Sequence, residues 1–186
     1  MQLRKFAAGA YVANLVGLAT VREMAAVMTA IVMSGRTGGA YAARIATMKG
    51  NEEIDALEVM GIPVLDYLVL PAVLALLITM PLLYLYGCLV GMLGGFVVAT
   101  AMLDVTAAGF FHQTIGAVGF DQFVFGFCKS AAFAVLIGLA SCQIGLRAGR
   151  SAADVGVAAT SAVVAGIVGV IALDAVFAVA ANMIGF

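Results

Sequence analysis

Two charged residues inside long apolar stretches could do chemistry in this sequence, and they are Lys129 and Asp174. An ionisable group in apolar surroundings is costly, so it is usually paired or functional. A helix rises about 1.5 Å per residue, and on that scale the two residues lie at similar depths from the ends of their stretches. We therefore predict an ion pair between Lys129 and Asp174 across adjacent helices, with a structural rather than a transport role.

A second charged pair, Arg22 and Glu23, stands at the mouth of another apolar stretch. Two interpretations are open. The pair could line a polar opening, or it could anchor the chain at a membrane interface.

An acidic segment spans residues 50–62, where four of the ten acidic residues are found. Asn51 is a suitable N-cap, and acidic residues favour the first turn of a helix. Gly61 is placed to end the helix and Pro63 prevents its continuation. The pattern predicts a short amphipathic helix, although a merely solvated loop is the alternative. Anionic membrane surfaces attract basic helices, so an acidic helix favours a protein partner. The acidic residues are Glu52, Glu53, Asp55 and Glu58.

The sequence lacks the residues that several classes of function require. The single histidine, His112, has no evident catalytic partner, and the three cysteines are far apart in apolar runs, which predicts neither a metal site nor a disulfide framework. The sequence has no G-x-x-x-x-G-K-[ST] motif for nucleotide phosphates, and its net charge of −1 offers no basic field for nucleic acid. We expect no catalytic residues, no metal and no cofactor, and any ATP hydrolysis must occur on another chain.

The composition is that of a membrane protein, with 65% hydrophobic and 10% charged residues. Tyr67 to Leu103 carries no charge, nor does Val155 to Leu173. About 20 apolar residues cross a bilayer, and continuous runs favour helices over strands. The sequence predicts one domain over 1–186, an all-α polytopic membrane protein with about four spans. The predicted segments are 1–23 at the outer face, a span at 24–48, the acidic helix at 50–62, a long span with an irregular end at 64–103, an outer loop at 104–121, a span at 122–146, a loop at 147–155 and a span at 156–184.

The orientation follows from basic residues in short loops. Arg44 and Lys49 lie in one loop, Arg147 and Arg150 in another, and two crossings separate the loops. Both loops, and with them the acidic helix, are predicted to face the cytoplasm. An N-terminal segment left outside suggests that an upstream span is missing from this chain.

Three glycines form a small-xxx-small row at Gly87, Gly91 and Gly95. Such rows let helix backbones approach closely in lipid. The row predicts a packing seam, within the chain or between subunits, although membrane helices are also rich in glycine for no special reason.

Taken together, these motifs strongly resemble the MlaE (YrbE) family of ABC transporter permeases over nearly the whole chain. The central block, Ser34 to Pro63, is the most specific part. The matching stretches are Arg22–Met24, Ser34–Ala40, Ala42–Lys49, Glu52–Pro63, Leu68–Pro71, Met80–Leu83 and Gly91–Gly95, together with Lys129–Ser130 and Asp174.

The resemblance implies a homodimeric permease subunit that moves phospholipid or a related lipid in the bacterial inner membrane, thereby contributing to outer-membrane lipid asymmetry. It implies a cytoplasmic ABC ATPase and an MCE-domain protein as partners, and a five-span family fold of which the N-terminal helix and first span precede this chain. Arg22 and Glu23 would lie near the lipid pocket. The coupling helix that docks in the ATPase would use Asn51, Glu52, Glu53, Asp55, Leu57, Glu58 and Met60.

Two other function classes compete with this interpretation. A membrane-embedded enzyme of lipid metabolism should carry clustered histidine, aspartate or serine, which the sequence does not show. An ion-coupled carrier could use Lys129 and Asp174 as a relay, but it predicts internal inverted repeats, and none is evident.

Overall fold

Helices form every regular element in the part of the chain that the structure describes. The computed structural model describes residues 9–102 and 106–184, with side chains from 14 to 101 and from 106 to 183. Four helices in these ranges are long and apolar enough to cross a membrane: Asn14–Gly50, Leu65–Ala101, Phe120–Arg147 and Ala152–Met183. The prediction of an all-α polytopic membrane protein is confirmed.

The first span is one continuous helix with two wider turns. The α-helical segments α1 (Gly9–Ala19), α2 (Ala25–Met33) and α3 (Gly39–Gly50) are joined by π-helical turns at Thr20–Met24 and Ser34–Gly38. The helix runs through Arg22 and Glu23 without a break, so no change of backbone structure marks the predicted segment boundary between 23 and 24. Residues 1–8 of the predicted outer-face segment lie outside the described residues.

The acidic helix, α4, is Glu53–Val59, shorter than the predicted 50–62. The second span follows as a π-helical turn at Leu65–Val69 and the 33-residue helix α5, Leu70–Met102. We expected an irregular piece toward residue 103, but α5 stays helical as far as Met102, since an apolar backbone in lipid must satisfy its own hydrogen bonds.

The remaining chain contains one short helix and two spans. Within the predicted outer loop 104–121, residues 104 and 105 lie outside the described residues, while Ala107–Ala117 forms helix α6 and packs on α1. The spans are α7 (Phe120–Arg147) and α8 (Ala152–Ile184), each a few residues longer than predicted. Consequently only 148–151 separates them.

The core lies around α7, which packs against α2, α3, α5 and α8. The lipid-facing sides of the spans remain apolar and exposed, as expected where lipid is the solvent. The fully enclosed side chains of this core include Val21, Leu76, Met80, Tyr84, Phe133, Ile137 and Val170.

The glycine row packs α5 against the first span of the same chain. A Cβ added at Gly91 would lie 2.5 Å from Thr20 Cγ2, and one at Gly95 would overlap Val16. Near Gly87 the space is wider, with Thr29 Oγ1 at 3.4 Å. The seam is thus a close approach of two helices within one subunit.

A second close approach fixes α7 at the first π-helical turn. The Tyr84 hydroxyl on α5 donates a hydrogen bond of 2.9 Å to the backbone oxygen of Val21. Gly126 on α7 lies directly against this bond, and a Cβ added there would come within 2.7 Å of the same Val21 oxygen and closer still to the tyrosine ring. Only glycine allows α5, α7 and the π-helical turn to meet here.

We therefore predict that Gly126→Ala destabilises the fold by about 1–3 kcal/mol, the usual effect of overpacking a filled core. Gly94→Ala is the matched control, because a Cβ at Gly94 meets nothing within 4 Å. Thermal unfolding of the full-length protein in detergent measures both variants. Equal melting temperatures for the two would contradict the close approach at Gly126.

Candidate functional site

A cluster of charges lies where three spans meet, and its centre is Lys129. The lysine side chain is 0% exposed, although it is charged and sits within α7. Its Nζ lies 2.5 Å from Asp174 Oδ1 on α8 and also donates a hydrogen bond to Glu23 Oε2 on the first span. The structure thus brings Lys129 and Asp174 together and adds a second carboxylate.

Local backbone geometry explains why Glu23 reaches the cluster. Arg22 and Glu23 belong to the π-helical turn Thr20–Met24. Such a turn holds an extra residue and changes the direction of the side chains around it, and it is common at functional sites. Val21 points into the core and is fully buried, while Glu23 reaches Lys129. In a regular α-helix the side chains of Val21 and Glu23 would point in different directions around the helix axis.

Arg22 completes the cluster. Its Nε lies 3.9 Å from Glu23 Oε1, and its guanidinium carbon lies 5.9 Å from the centre of the Phe125 ring. Lys129 Nζ is 6.0 Å from the same ring, so both cations are in the range of a cation–π contact. Two cations and two carboxylates give a formally neutral group, which lowers the cost of holding these charges inside the membrane.

The cluster remains partly open on one side. The side chains of Glu23 and Asp174 are 38% and 27% exposed, whereas Lys129 is enclosed. A shallow groove of about 300 Å³ lies alongside, and it is lined by Phe120, Asp121, Val124, Phe125 and Cys128. A polar group entering from the membrane would therefore meet the carboxylates and Arg22 before it met the lysine.

The acidic helix α4 lies at the other end of the bundle. Lys129 and Arg147 are eighteen residues apart in α7, which corresponds to about 27 Å along a helix. Ile54 and Leu57 are the buried side chains of α4, and Ile54 packs with Ile45, Val69 and Cys142. An apolar face therefore seats α4 on the ends of the spans, and its acidic residues remain at the surface.

Backbone geometry defines both ends of α4. Gly61 has φ 75°, its N–H donates to Glu58 O, and the N–H of Ile62 donates to Leu57 O. These bonds form a Schellman motif, as expected from a glycine after the last turn. The predicted N-cap is wrong, because the capping position is Glu52, which has φ 63°. Asn51 instead donates through Nδ2 to Glu53 Oε1 at 3.2 Å.

The loop between α7 and α8 touches the acidic helix. Arg150 Nη2 donates to Asp55 Oδ2 at 2.6 Å, and Nη1 lies 4.0 Å from Glu52 Oε1. Nearby, Lys49 Nζ donates to the backbone oxygen of Leu146 at 2.8 Å. The two loops that the sequence predicted to face the same side therefore meet at one end of the bundle.

The tip of α4 is apolar as well as acidic. Val59 is 88% exposed and Met60 is 64% exposed, and Glu58 beside them is exposed too. Isolated exposed apolar residues are common, but a contiguous set bordered by charge is typical of an interaction surface. We call Glu58, Val59 and Met60 the acidic tip.

Sequence reasoning missed two partners in these sites. Tyr84, which binds the Val21 carbonyl, looked like an ordinary residue of a long apolar run, and nothing in its spacing signals the bond. Arg150 was used only to assign orientation, although its loop was predicted to face the same side as the acidic helix, which is a signal for pairing.

Comparison with known proteins gives a consistent family. The family described as Permease MlaE matches residues 1–180. The chain is 37% identical over 160 residues to the probable ABC transporter permease protein RC0129 of Rickettsia conorii, covering 86% of this chain and 62% of that protein. It is 36% identical over 154 residues to the probable ABC transporter permease protein slr1045 of Synechocystis, covering 82% and 58%.

A plant relative is also similar. The chloroplastic protein TRIGALACTOSYLDIACYLGLYCEROL 1 of Arabidopsis thaliana is 33% identical over 163 residues, covering 88% of this chain and 47% of that protein. The chain thus spans about three fifths or less of the length of the curated relatives described here.

The cluster leads to a prediction about stability. Lys129→Met removes the cation and leaves Glu23 and Asp174 facing each other, so we expect a loss of about 3 kcal/mol, as for a buried pair that loses one partner. Asp174→Asn should cost clearly less, because Glu23 still accepts from Lys129. Thermal unfolding in detergent compares the two variants, and an unaffected Lys129→Met protein would contradict the enclosed ion cluster.

Proposed function

The chain belongs to the MlaE permease family, and from this premise we propose that it is the membrane subunit of an ABC transporter that moves phospholipid or a related lipid. A separate ATPase would supply the energy. The observation that carries the proposal is the acidic helix α4, which is seated on the bundle by an apolar face while it exposes charged and apolar side chains. Relatives named as probable ABC transporter permeases support the same role.

The acidic helix fits a coupling element. Its proposed contact residues are Asn51, Glu52, Glu53, Asp55, Leu57, Glu58 and Met60. Of these, Leu57 is buried in the seat of α4, so it would position the helix rather than touch the ATPase. The acidic tip offers an apolar centre bordered by a carboxylate, which suits a partner groove with basic residues on its rim.

The connection between α4 and the spans suits the transmission of movement. Helix α3 leads into α4 through two residues, and the Schellman turn leads directly into the second span. The Arg150 ion pairs are exposed, and exposed pairs stabilise by only about 0–1 kcal/mol. A docked ATPase could therefore displace α4 against the loop after α7, and the displacement would reach the first two spans.

The lipid would meet the charged cluster at the opposite end. Arg22 and Glu23 are proposed as residues of the lipid pocket, since they are partly exposed beside Lys129 and Asp174. A relative whose name contains a glycolipid, trigalactosyldiacylglycerol, supports a lipid as the transported molecule. The remaining family expectations are part of the proposal, namely a homodimer in the bacterial inner membrane, an MCE-domain partner and a contribution to outer-membrane lipid asymmetry.

One observation favours a second candidate function. A lysine held by two carboxylates within the membrane could relay a proton, as in an ion-coupled carrier. Transport by such a carrier would depend on an imposed proton gradient and would not depend on ATP. Transport by the proposed permease would depend on ATP and not on the proton gradient.

Charge reversal at α4 tests the coupling role. We predict that Glu52→Lys combined with Glu58→Lys lowers co-purification of the ATPase with the full-length protein by about tenfold or more, because the basic rim of the partner would then meet like charge. Asp121→Lys is the matched control, since Asp121 is an exposed acid at the first turn of α7, at the far end of the bundle. Equal ATPase recovery from both variants would contradict the docking role of α4.

A further inference from the structure

An arginine stands exposed in the middle of the first span. Arg36 lies in the π-helical turn Ser34–Gly38 and its side chain is exposed. Within the described residues it makes no ion pair or hydrogen bond, in contrast to Arg22 and Arg150, which have partners. A charged residue at such a position is expensive in hydrocarbon and is usually functional.

Contacts with neighbouring spans fix the depth of Arg36. A Cβ at Gly38 would lie 2.8 Å from Ser141 Oγ, and Ser34 Oγ donates to Val163 O at 3.3 Å. Ser141 is six residues from the end of α7 and Val163 is eleven residues from the start of α8. Arg36 therefore lies about 10–16 Å inside the end of the bundle that carries α4, within the length of the first span.

The side chain is poorly placed to escape to the nearer surface. Side chains in a helix lean toward its N-terminus, and the N-terminal direction of this span leads away from α4. Snorkelling to the surface at α4 would require the opposite lean. Gly35 beside Arg36 leaves open space, since a Cβ there would meet nothing within 4 Å.

A second copy of the chain offers no described carboxylate at this depth. Glu23 is thirteen residues away on the same span, about 20 Å. Asp66 lies seven residues before Val73, which packs at Gly138 near the level of Arg36, so Asp66 is about 10 Å closer to α4. In a symmetric dimer whose axis crosses the membrane, each residue of the second copy lies at the same depth as in the first. Glu23 and Asp66 of a second copy would therefore not reach Arg36 as its counter-charge.

The surface beside Arg36 suits an amphiphile. Met24, Met28 and Val32 are well exposed on the same span and continue from Arg36 toward the charged cluster. Methionine side chains are flexible and polarizable, so they adapt to irregular apolar ligands. A guanidinium next to an apolar strip matches a phosphate that carries acyl chains, because arginine binds phosphate through paired hydrogen bonds.

We propose that Arg36 binds the phosphate of a membrane phospholipid, with the acyl chains along Met24, Met28 and Val32. Arg36 itself is about 20 Å from Glu23 along the span, and the apolar strip leads from Arg36 toward the Lys129 cluster. The proposal rests on the proposed lipid permease function and narrows its substrate to lipids with an anionic phosphate. In transport, Arg36 would hold a headgroup at an intermediate depth.

The test compares two lipids that differ only in the phosphate. Full-length protein with its partner chains is loaded with phosphatidic acid or with diacylglycerol of the same acyl chains, and native mass spectrometry counts the retained lipid. Arg36→Gln should lower retention of phosphatidic acid about tenfold, the loss expected for a hydrogen bond to a charged group. Retention of diacylglycerol should not change. Arg44→Gln, an exposed arginine of the same helix nearer α4, is the control and should retain both lipids.

Several results would overturn the proposal. Equal retention of phosphatidic acid by Arg36→Gln and the unaltered protein would do so, as would an equal loss of both lipids. Displacement of phosphatidic acid by millimolar inorganic phosphate would assign the site to free phosphate instead. A shift of the Arg36→Gln complex to monomers would show that a second copy covers this face.

A second measurement uses only the unaltered protein, so it tests the site even if Arg36→Gln does not fold. Phosphatidic acid with a photoreactive diazirine close to its headgroup should label the peptide containing Arg36 in the unaltered protein more than the matching diacylglycerol does, and equal labelling overturns the site. ATPase recovery is measured in the same samples. Its absence would overturn the permease function alone, since phosphate-dependent labelling at Arg36 would still stand.

Discussion

An enclosed ammonium ion inside a membrane bundle is the constraint on which the rest of this structure depends. Lys129 is fully buried in α7, where a charge without a nearby opposite charge is costly. Asp174 supplies one from α8 and Glu23 supplies the other from the first span. Three spans are thereby held together at one depth. The π-helical turn at Thr20–Met24 contributes to this arrangement, because Glu23 lies within it and reaches the lysine while Val21 stays in the core.

The two ends of the bundle differ in how firmly they are held. Around Lys129 the helices meet through a buried cluster, the Tyr84 hydrogen bond and a glycine contact at Gly126 that leaves no free space. At α4 the helix is seated by Ile54 and Leu57 and by exposed ion pairs to Arg150. The buried contacts resist displacement, whereas the exposed pairs contribute little. A partner that acts on α4 would therefore meet the more compliant end.

Much of this arrangement could be predicted from the sequence. Charge-free runs indicated the spans, matched depths indicated the Lys129–Asp174 contact, and the sequence Gly-Ile-Pro indicated the end of α4. The contact of Glu23 with Lys129 could not be predicted, because a π-helical turn changes the direction in which side chains point and has no clear sequence signal. Arg22 and Glu23 looked like a boundary for the same reason, because charges usually mark the edge of a span. The capping residue of α4 was misjudged by one position, as Glu52 adopts a left-handed conformation that glycine or asparagine normally occupies.

We propose that this family member moves lipid in its membrane in response to ATP hydrolysis by a separate chain. The most direct test is transfer of a labelled phospholipid by liposomes that contain the full-length protein and its ATPase. We expect transfer that starts on addition of ATP, stops with a non-hydrolysable analogue and does not respond to an imposed proton gradient. ATP hydrolysis without lipid transfer, or transfer that follows the proton gradient, would contradict it.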